Sequence, residues 1–195
     1  MAEPQNAIYR GSRDMTDTKK LWGRRGIAGL AATLALITGT ATASFAGTAP
    51  SDPEPRLSGS AGGKLTKTFG PWAGDPVEFQ IEARGGPGTT KGTFKAFHGK
   101  GTTGGVVAEF EGKITCLLVG GEVAVATGVI TRGYANLTDE KNTDVTGQKV
   151  SFTVHDNGRS DRLYWMWGFM NAPINDCQGT APILKTSHGD FKVHD

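Results

Sequence analysis

A strict alternation of apolar and polar side chains is the feature that most constrains the fold of this chain. In DPVEFQIEAR (75–84), Val77, Phe79 and Ile81 alternate with acidic and amide residues. Successive side chains of a β-strand point to opposite faces of its sheet. The pattern therefore predicts a strand with one face in a core and the other in water, whereas an amphipathic helix would repeat its apolar residues every three or four positions.

The alternation recurs along the chain. In 106–118 the predicted apolar side carries Val106, Ala108, Phe110, Ile114, Cys116 and Leu118. Gly120-Gly121 follows, a pair typical of a tight hairpin because such turns need positive φ. The other predicted strands are GTFKAFHG, EVAVATGVITRG, QKVSFTVHD, RLYWMWGFM and DFKVHD. We predict an all-β domain of about seven strands, either a small antiparallel barrel or a sandwich.

The N-terminal part has a different composition. Basic residues at 19–25 precede the charge-free run GIAGLAATLALITG, and small residues follow in ATASFA. This order predicts a secretory signal peptide over residues 1–46, with Met15 as a candidate start of translation, and hence a secreted, extracellular protein. The alternative is an uncleaved membrane anchor over residues 26–46.

Residues 47–70 are rich in Pro, Gly and Ser, which predicts a disordered or extended linker before a β-domain at 71–195. The whole chain has a formal charge of +2, but six of its 21 basic and three of its 19 acidic residues fall in 1–46. The remainder is therefore near neutral, at about −1. Nucleic-acid binding is excluded, because it needs a basic face that displaces counterions from phosphates.

The chain has two cysteines, Cys116 and Cys177. Secretion would place them in an oxidising compartment, so we predict a disulfide, worth about 4 kcal/mol in the chain-entropy model. A metal or catalytic pair is the alternative. It lacks the short ligand spacing of a zinc site, and the sequence has no Cys-x-x-Cys redox motif.

The succession of GTFKAFHG, VVAEFEGKITCLLVGGEVAVATGVIT, VSFTVHDNGRSDRLYWMWGF and a closing HGDFKVHD resembles a family of small, uncharacterised secreted actinobacterial proteins, some labelled repetin-like. The stretch VHDNGRSD is also similar to a corner in β-rich modules of bacterial surface proteins. The resemblance spans about residues 75–195. It implies a secreted β-fold and supplies no activity.

The corner HDNGRSD (155–161) is predicted to be a structural turn. Asx side chains hydrogen-bond their own backbone, and glycine tolerates positive φ, so Asp156 should cap the turn and Gly158 should supply the positive φ. Asp161 is expected to begin the next strand and to pair with Arg159 or Arg162.

A calcium site is the alternative interpretation of the same corner. Oxygen ligands suit calcium, although the twelve-residue loop that ends in a glutamate is absent here. Arg159 also argues against a bound cation. The candidate ligands are Asp156, Asn157, Ser160 and Asp161.

The strand RLYWMWGFM (162–170) is apolar on both faces. One face carries Leu163, Trp165, Trp167 and Phe169, and the other carries Tyr164, Met166 and Met170. In one interpretation the strand is central, with both tryptophans in the core and the Cys177 loop over its second face. In the other, a barrel lumen or mouth holds an apolar ligand, because aromatic side chains line such cavities in small β-barrels. The candidate ligand face is Trp165, Trp167 and Tyr164.

We predict no catalytic residue and no cofactor. There is no Gly-x-Ser-x-Gly elbow, both cysteines are committed to the disulfide, and Glu109 and Glu111 are neighbours on a wet strand face. The sequence therefore predicts a secreted, disulfide-stapled binding or interaction module whose partner is a protein or a small apolar ligand. A ligand-holding barrel and an enzyme of unknown class are the alternatives.

Overall fold

A computed structural model describes residues 53–137 and 141–195. It confirms an all-β fold, an antiparallel sheet curled into a half-barrel. The described residues form ten strands: β1 Arg56–Lys64, β2 Pro76–Arg84, β3 Lys91–Gly99, β4 Val106–Gly120, β5 Val123–Ala135, β6 Thr143–Asp144, β7 Lys149–His155, β8 Arg162–Trp167, β9 Leu184–Lys185 and β10 His188–His194. The prediction lacked β1, β6 and β9.

Two short 3₁₀ segments, Lys67–Trp72 and Gly168–Met170, accompany the strands. Among the described residues, no helix has the length and apolar character that a membrane crossing requires. The predicted signal peptide or anchor lies outside the described residues.

The strands follow the order β10-β1-β2-β3-β4-β5-β7-β8-β9, with β6 also paired to β5. The predicted hairpin joins β4 to β5, and Gly121 in its turn has φ 59°. Residues 184–194 contain β9 and β10, the two strands at the ends of this order. β9 pairs with β8, and β10 pairs with β1. One stretch of chain therefore connects the two edges of the curled sheet.

Aromatic rings fill the inside of the curl. Phe79 on β2 lies 5.9 Å from Phe152 on β7 and 4.6 Å from Trp165 on β8, measured between ring centroids. Phe94 on β3 lies 5.2 Å from Phe152. Three strands separate β2 from β7 in the sheet order, so these contacts are possible because the sheet bends around a common core.

The predicted linker is wrong over Arg56–Lys64, which forms β1 between β2 and β10. Leu57 and Ala61 are buried in the core. The glycines of this stretch allow close strand packing, since a Cβ on Gly62 would lie 2.2 Å from the Val77 carbonyl oxygen. The glycines that suggested a linker are needed here, because a larger residue would clash with the neighbouring strand.

The predicted core-facing position of Cys116 is also wrong. The register between β4 and β5 shifts between Ile114 and Cys116, so a β-bulge reverses the alternation. Leu117 is buried beyond the bulge, whereas Leu118 is 49% exposed. Cys116 lies opposite Thr127 on the outer face of the sheet.

The disulfide between Cys116 and Cys177 is confirmed. The loop that carries Cys177 lies on the outer face of β5 and β7. The Cys177 N–H donates to Thr127 Oγ1 at 3.0 Å, and the Ser151 hydroxyl donates to the Gln178 carbonyl at 2.6 Å. These contacts place the loop over β5 and β7, where the sequence predicted it over the second face of β8.

Candidate ligand site at the aromatic strand

The corner between β7 and β8 is a hydrogen-bonded turn. Gly158 has φ 67°, and its N–H donates to Asp156 Oδ1 at 3.1 Å, which confirms the predicted roles of both residues. Asp161 behaves differently from the prediction. Its Oδ1 accepts the Asn157 N–H at 3.0 Å, and among the described residues no ion pair joins it to Arg159 or Arg162.

The two aspartates of the corner also hold strand β10. Asp161 Oδ2 accepts the Phe191 N–H at 2.7 Å, and Asp156 Oδ2 accepts the Val193 N–H at 3.2 Å. These carboxylates satisfy donors on the side of β10 that faces away from β1. Backbone donors left unpaired at a sheet edge would otherwise need water or another chain.

The structure brings a third carboxylate to this corner. Asp156, Asp161 and Asp190 each place an oxygen within 4.8 Å of the others. Lys192 Nζ lies 2.9 Å from Asp190 and 3.9 Å from Asp156. The hydrogen bond to Asp190 raises the pKa of Lys192. A lysine of the chain thus supplies the cation, and we assign the group a structural role.

A cavity of about 190 Å³ lies beside the aromatic strand β8. All three residues of the predicted ligand face line it. The full lining is Phe69, Trp72, His98, Tyr164, Trp165, Met166, Trp167, Met170 and Ala172. The prediction missed Phe69, which falls at the end of the supposed linker, and Trp72, which follows it by two residues. The aromatic pair in FGPW, beside so many small residues, was the available signal.

The cavity forms where β8 lacks a neighbouring strand. β9 pairs with β8 at two positions, Arg162 and Leu163, and the rest of that edge is covered by the 3₁₀ segment Lys67–Trp72. Phe69 of this segment stacks on Trp165, with centroids 5.6 Å apart and an interplanar angle of 12°. The segment is kinked at Gly70, where φ is 59°. Along this part of β8, aromatic side-chain contacts thus stand where a neighbouring strand would make backbone hydrogen bonds.

His98 at the end of β3 is the ionisable residue of the cavity wall. Its side chain is 1% exposed, and Nε2 lies 3.0 Å from Asp75 Oδ2. The other Asp75 oxygen accepts the Gly101 N–H at 2.7 Å. Burial lowers the pKa of His98 below its usual 6.5, and the hydrogen bond and charge of Asp75 oppose this only in part. His98 is therefore neutral near pH 7.

The sequence contained a signal for His98 that the prediction did not use. His98 has the same strand parity as Phe94 and Ala96, which are both buried. A histidine in a core-facing position needs a hydrogen-bond partner, and Asp75 is that partner.

Two buried ring nitrogens at this cavity have no hydrogen-bond partner among the described residues: His98 Nδ1 and Trp167 Nε1. Both residues line the cavity, and their ring centroids are 5.7 Å apart. Buried polar atoms are normally paired, because an unpaired one loses its bond to water without replacement. Two unpaired polar atoms thus lie buried behind a mainly apolar wall.

A larger and more polar cavity of about 550 Å³ adjoins the first and shares Trp72 and Met170 with it. It lies among the loops that contain Lys100, Asn136 and Asn171. The two shared side chains lie between the more polar space and the aromatic one.

A groove of about 590 Å³ runs over the wet face of β2 to β5. Its wall carries charges of both signs, including the ion pair of Arg132 with Glu111 at 2.9 Å. Because both signs are present, the groove does not favour a ligand of either charge.

A Ser–His–Glu chain lies at the rim of this groove. Ser187 Oγ is 3.1 Å from His188 Nδ1, and His188 Nε2 contacts Glu78. The side chains of His188 and Glu78 are 56% and 49% exposed. The Ser187 N–H donates to the Gly62 carbonyl at 2.9 Å and cannot stabilise an oxyanion beside its own hydroxyl. We assign the Ser187–His188–Glu78 arrangement no catalytic role.

Comparison with known proteins adds no assignment, because no family model, no curated protein and no solved structure matches this chain.

Proposed function

We propose that this protein is a secreted binding protein whose curled sheet holds a small apolar ligand against Trp165 and Trp167. The cavity beside β8 is the observation that carries the proposal. Aromatic rings from two separate parts of the chain, the 3₁₀ segment Lys67–Trp72 and residues 164–167, converge on it. Clefts lined mainly by aromatic and apolar side chains are the usual form of a small-ligand site.

The size of the cavity suggests the size of the ligand. An apolar cavity of about 150 Å³ takes up benzene, and pockets for drug-sized molecules begin at about 300 Å³. A cavity of about 190 Å³ therefore suits a molecule with one ring. With about seven heavy atoms, such a ligand would gain roughly 4–6 kcal/mol, which corresponds to a Kd between about 1 mM and 40 µM.

Secretion is part of the proposal. It is supported by the basic, apolar and small-residue succession in 1–46 and by the Cys116–Cys177 disulfide, since disulfides persist in oxidising compartments. Release of the protein without residues 1–43, measured by intact mass of the exported product, is the expected result. Retention of those residues would contradict the secretory part of the proposal.

Toluene is a suitable probe for the binding site. We expect calorimetric titration of the protein with toluene to give a Kd in the sub-millimolar range. Ala172→Phe places a ring in the cavity and should weaken binding by at least about tenfold. The matched control is Ala181→Phe, an exposed position outside the cavity lining, which should leave the affinity unchanged. Absence of toluene binding, or equal loss in both variants, would refute the site.

A further inference from the structure

We propose that the ligand carries a hydroxyl group, which bridges His98 Nδ1 and Trp167 Nε1, so that the ligand class is a single-ring phenol or alcohol. This inference rests on the proposed binding function and adds the chemistry that the site recognises. It starts from the two unpaired nitrogens of the cavity wall.

The two nitrogens have opposite hydrogen-bonding character. An indole Nε1–H is a donor and never an acceptor. In His98 the proton is assigned to Nε2, because that atom faces the Asp75 carboxylate, which accepts hydrogen bonds. A neutral imidazole with its proton on Nε2 presents a lone pair at Nδ1. One unpaired donor and one unpaired acceptor therefore lie buried behind the cavity wall.

A hydroxyl is the smallest group that satisfies both nitrogens. Its proton is donated to His98 Nδ1, and its oxygen accepts the Trp167 N–H. A carbonyl or ether oxygen would accept from Trp167 and leave His98 unpaired. An ammonium would do the reverse, and a carboxylate would bring a second negative charge into the neighbourhood of Asp75.

The two rings are neighbours in the structure. The ring centroids of His98 and Trp167 lie 5.7 Å apart, with 53° between the ring planes. Trp167 is 4% exposed and His98 is 1% exposed. Neither nitrogen contacts solvent, so the hydroxyl reaches them only as the surrounding side chains open around the ligand. A hydrogen bond made there replaces an unpaired buried atom, which increases its value to binding.

The test compares p-cresol with toluene, two probes that differ by one hydroxyl. In calorimetric titrations of the unaltered protein, p-cresol should bind roughly 10- to 100-fold more tightly than toluene. Trp167→Phe keeps an aromatic ring and removes the N–H. It should lower this preference by about fivefold or more relative to the unaltered protein, chiefly by weakening p-cresol.

Trp165→Phe is the matched control, because it makes the same substitution in the same cavity at a residue without an unpaired buried nitrogen. It should change the affinities of both probes by the same factor and so preserve their ratio. If the unaltered protein binds toluene and p-cresol equally well, the binding site stands and the hydroxyl inference is overturned. If it binds neither probe, the proposed function itself fails.

Discussion

The buried carboxylate of Asp161 should be among the most important polar groups for stability in this fold. It is 1% exposed and accepts two backbone hydrogen bonds, from Asn157 within its own turn and from Phe191 on β10. Its carbonyl oxygen accepts a third from the Thr186 N–H at 2.9 Å. Asp161→Ala removes the first two bonds and leaves the third, so the substitution isolates the side chain.

The expected loss of stability follows from the surroundings of each donor. Phe191 is buried, so its N–H would find no water, and an unsatisfied buried donor costs about 1–3 kcal/mol. Asn157 is exposed, so water can replace its bond, and the net loss there is about 0.5–1.5 kcal/mol. The desolvation cost of the carboxylate disappears with it, which keeps the total below the upper end of the sum. We expect a loss of about 2–4 kcal/mol.

Urea unfolding with an unchanged m-value would measure this loss as a lower midpoint. Amide hydrogen exchange should show that Phe191 loses protection before the centre of the sheet does. Asp190→Ala is the control, because Asp190 is exposed and its ion pair with Lys192 is at the surface, so a change within about 0.5 kcal/mol is expected. A loss below about 1 kcal/mol for Asp161→Ala, with Phe191 still protected, would show that these bonds do not hold β10 to the corner.

Three further predictions concern glycine, histidine and calcium. Gly158→Ala should lower the free energy of unfolding by about 1 kcal/mol, measured by heat or urea, because φ is 67° there. The loss should stay that small because a Cβ at this position would meet no atom within 4 Å. Gly62→Ala should lower the free energy of unfolding clearly more, because its Cβ would strike a backbone oxygen, and an equal loss in both variants would contradict the packing argument. Since the pKa of His98 is lowered in the folded state, the unfolded state binds more protons just below pH 6.5, so stability should rise with pH towards 6.5 and then level off. In His98→Gln, the free energy of unfolding should depend less on pH below 6.5. If its slope with pH is unchanged, other titrating groups cause the pH dependence. Millimolar calcium should leave the Tm unchanged, because the Lys192 ammonium already contacts Asp190 and Asp156, and Asp161 and Asp156 already accept backbone N–H groups of β10. A rise in Tm that Asp156→Ala abolishes would identify a metal site.

The sequence predicted the features that depend on neighbouring residues. Alternation located β2, and turn chemistry assigned Gly158 its positive φ, since both follow from a few adjacent side chains. The partner of Asp161 could not be found in this way, because Phe191 lies on a strand that is distant in sequence. The bulge before Cys116 was equally hidden, since an extra residue in one strand is defined by its pairing with the other.

The candidate site was predicted in the same partial way. The sequence alone identifies Trp165, Trp167 and Tyr164, because a strand that is apolar on both faces needs cover on both sides. The residues of the opposite wall could not be predicted, because the sequence does not show which segment covers the free edge of β8. That segment contains Phe69 and Trp72, and its Gly- and Pro-rich surroundings resemble a linker when only composition is considered.

The pairing of β1 with β10 determines when the domain can finish folding. Arg56 lies opposite His194, so the strand nearest the start of the domain waits for the strand at its end. Contacts between residues so far apart in sequence form late, because the entropy of closing the intervening loop is lost before the contact stabilises the chain. During synthesis, β1 therefore has β2 as its one available neighbour in the sheet until β10 emerges. We infer that the nascent domain keeps an exposed strand edge, open to chaperones and to aggregation, until β10 has been made.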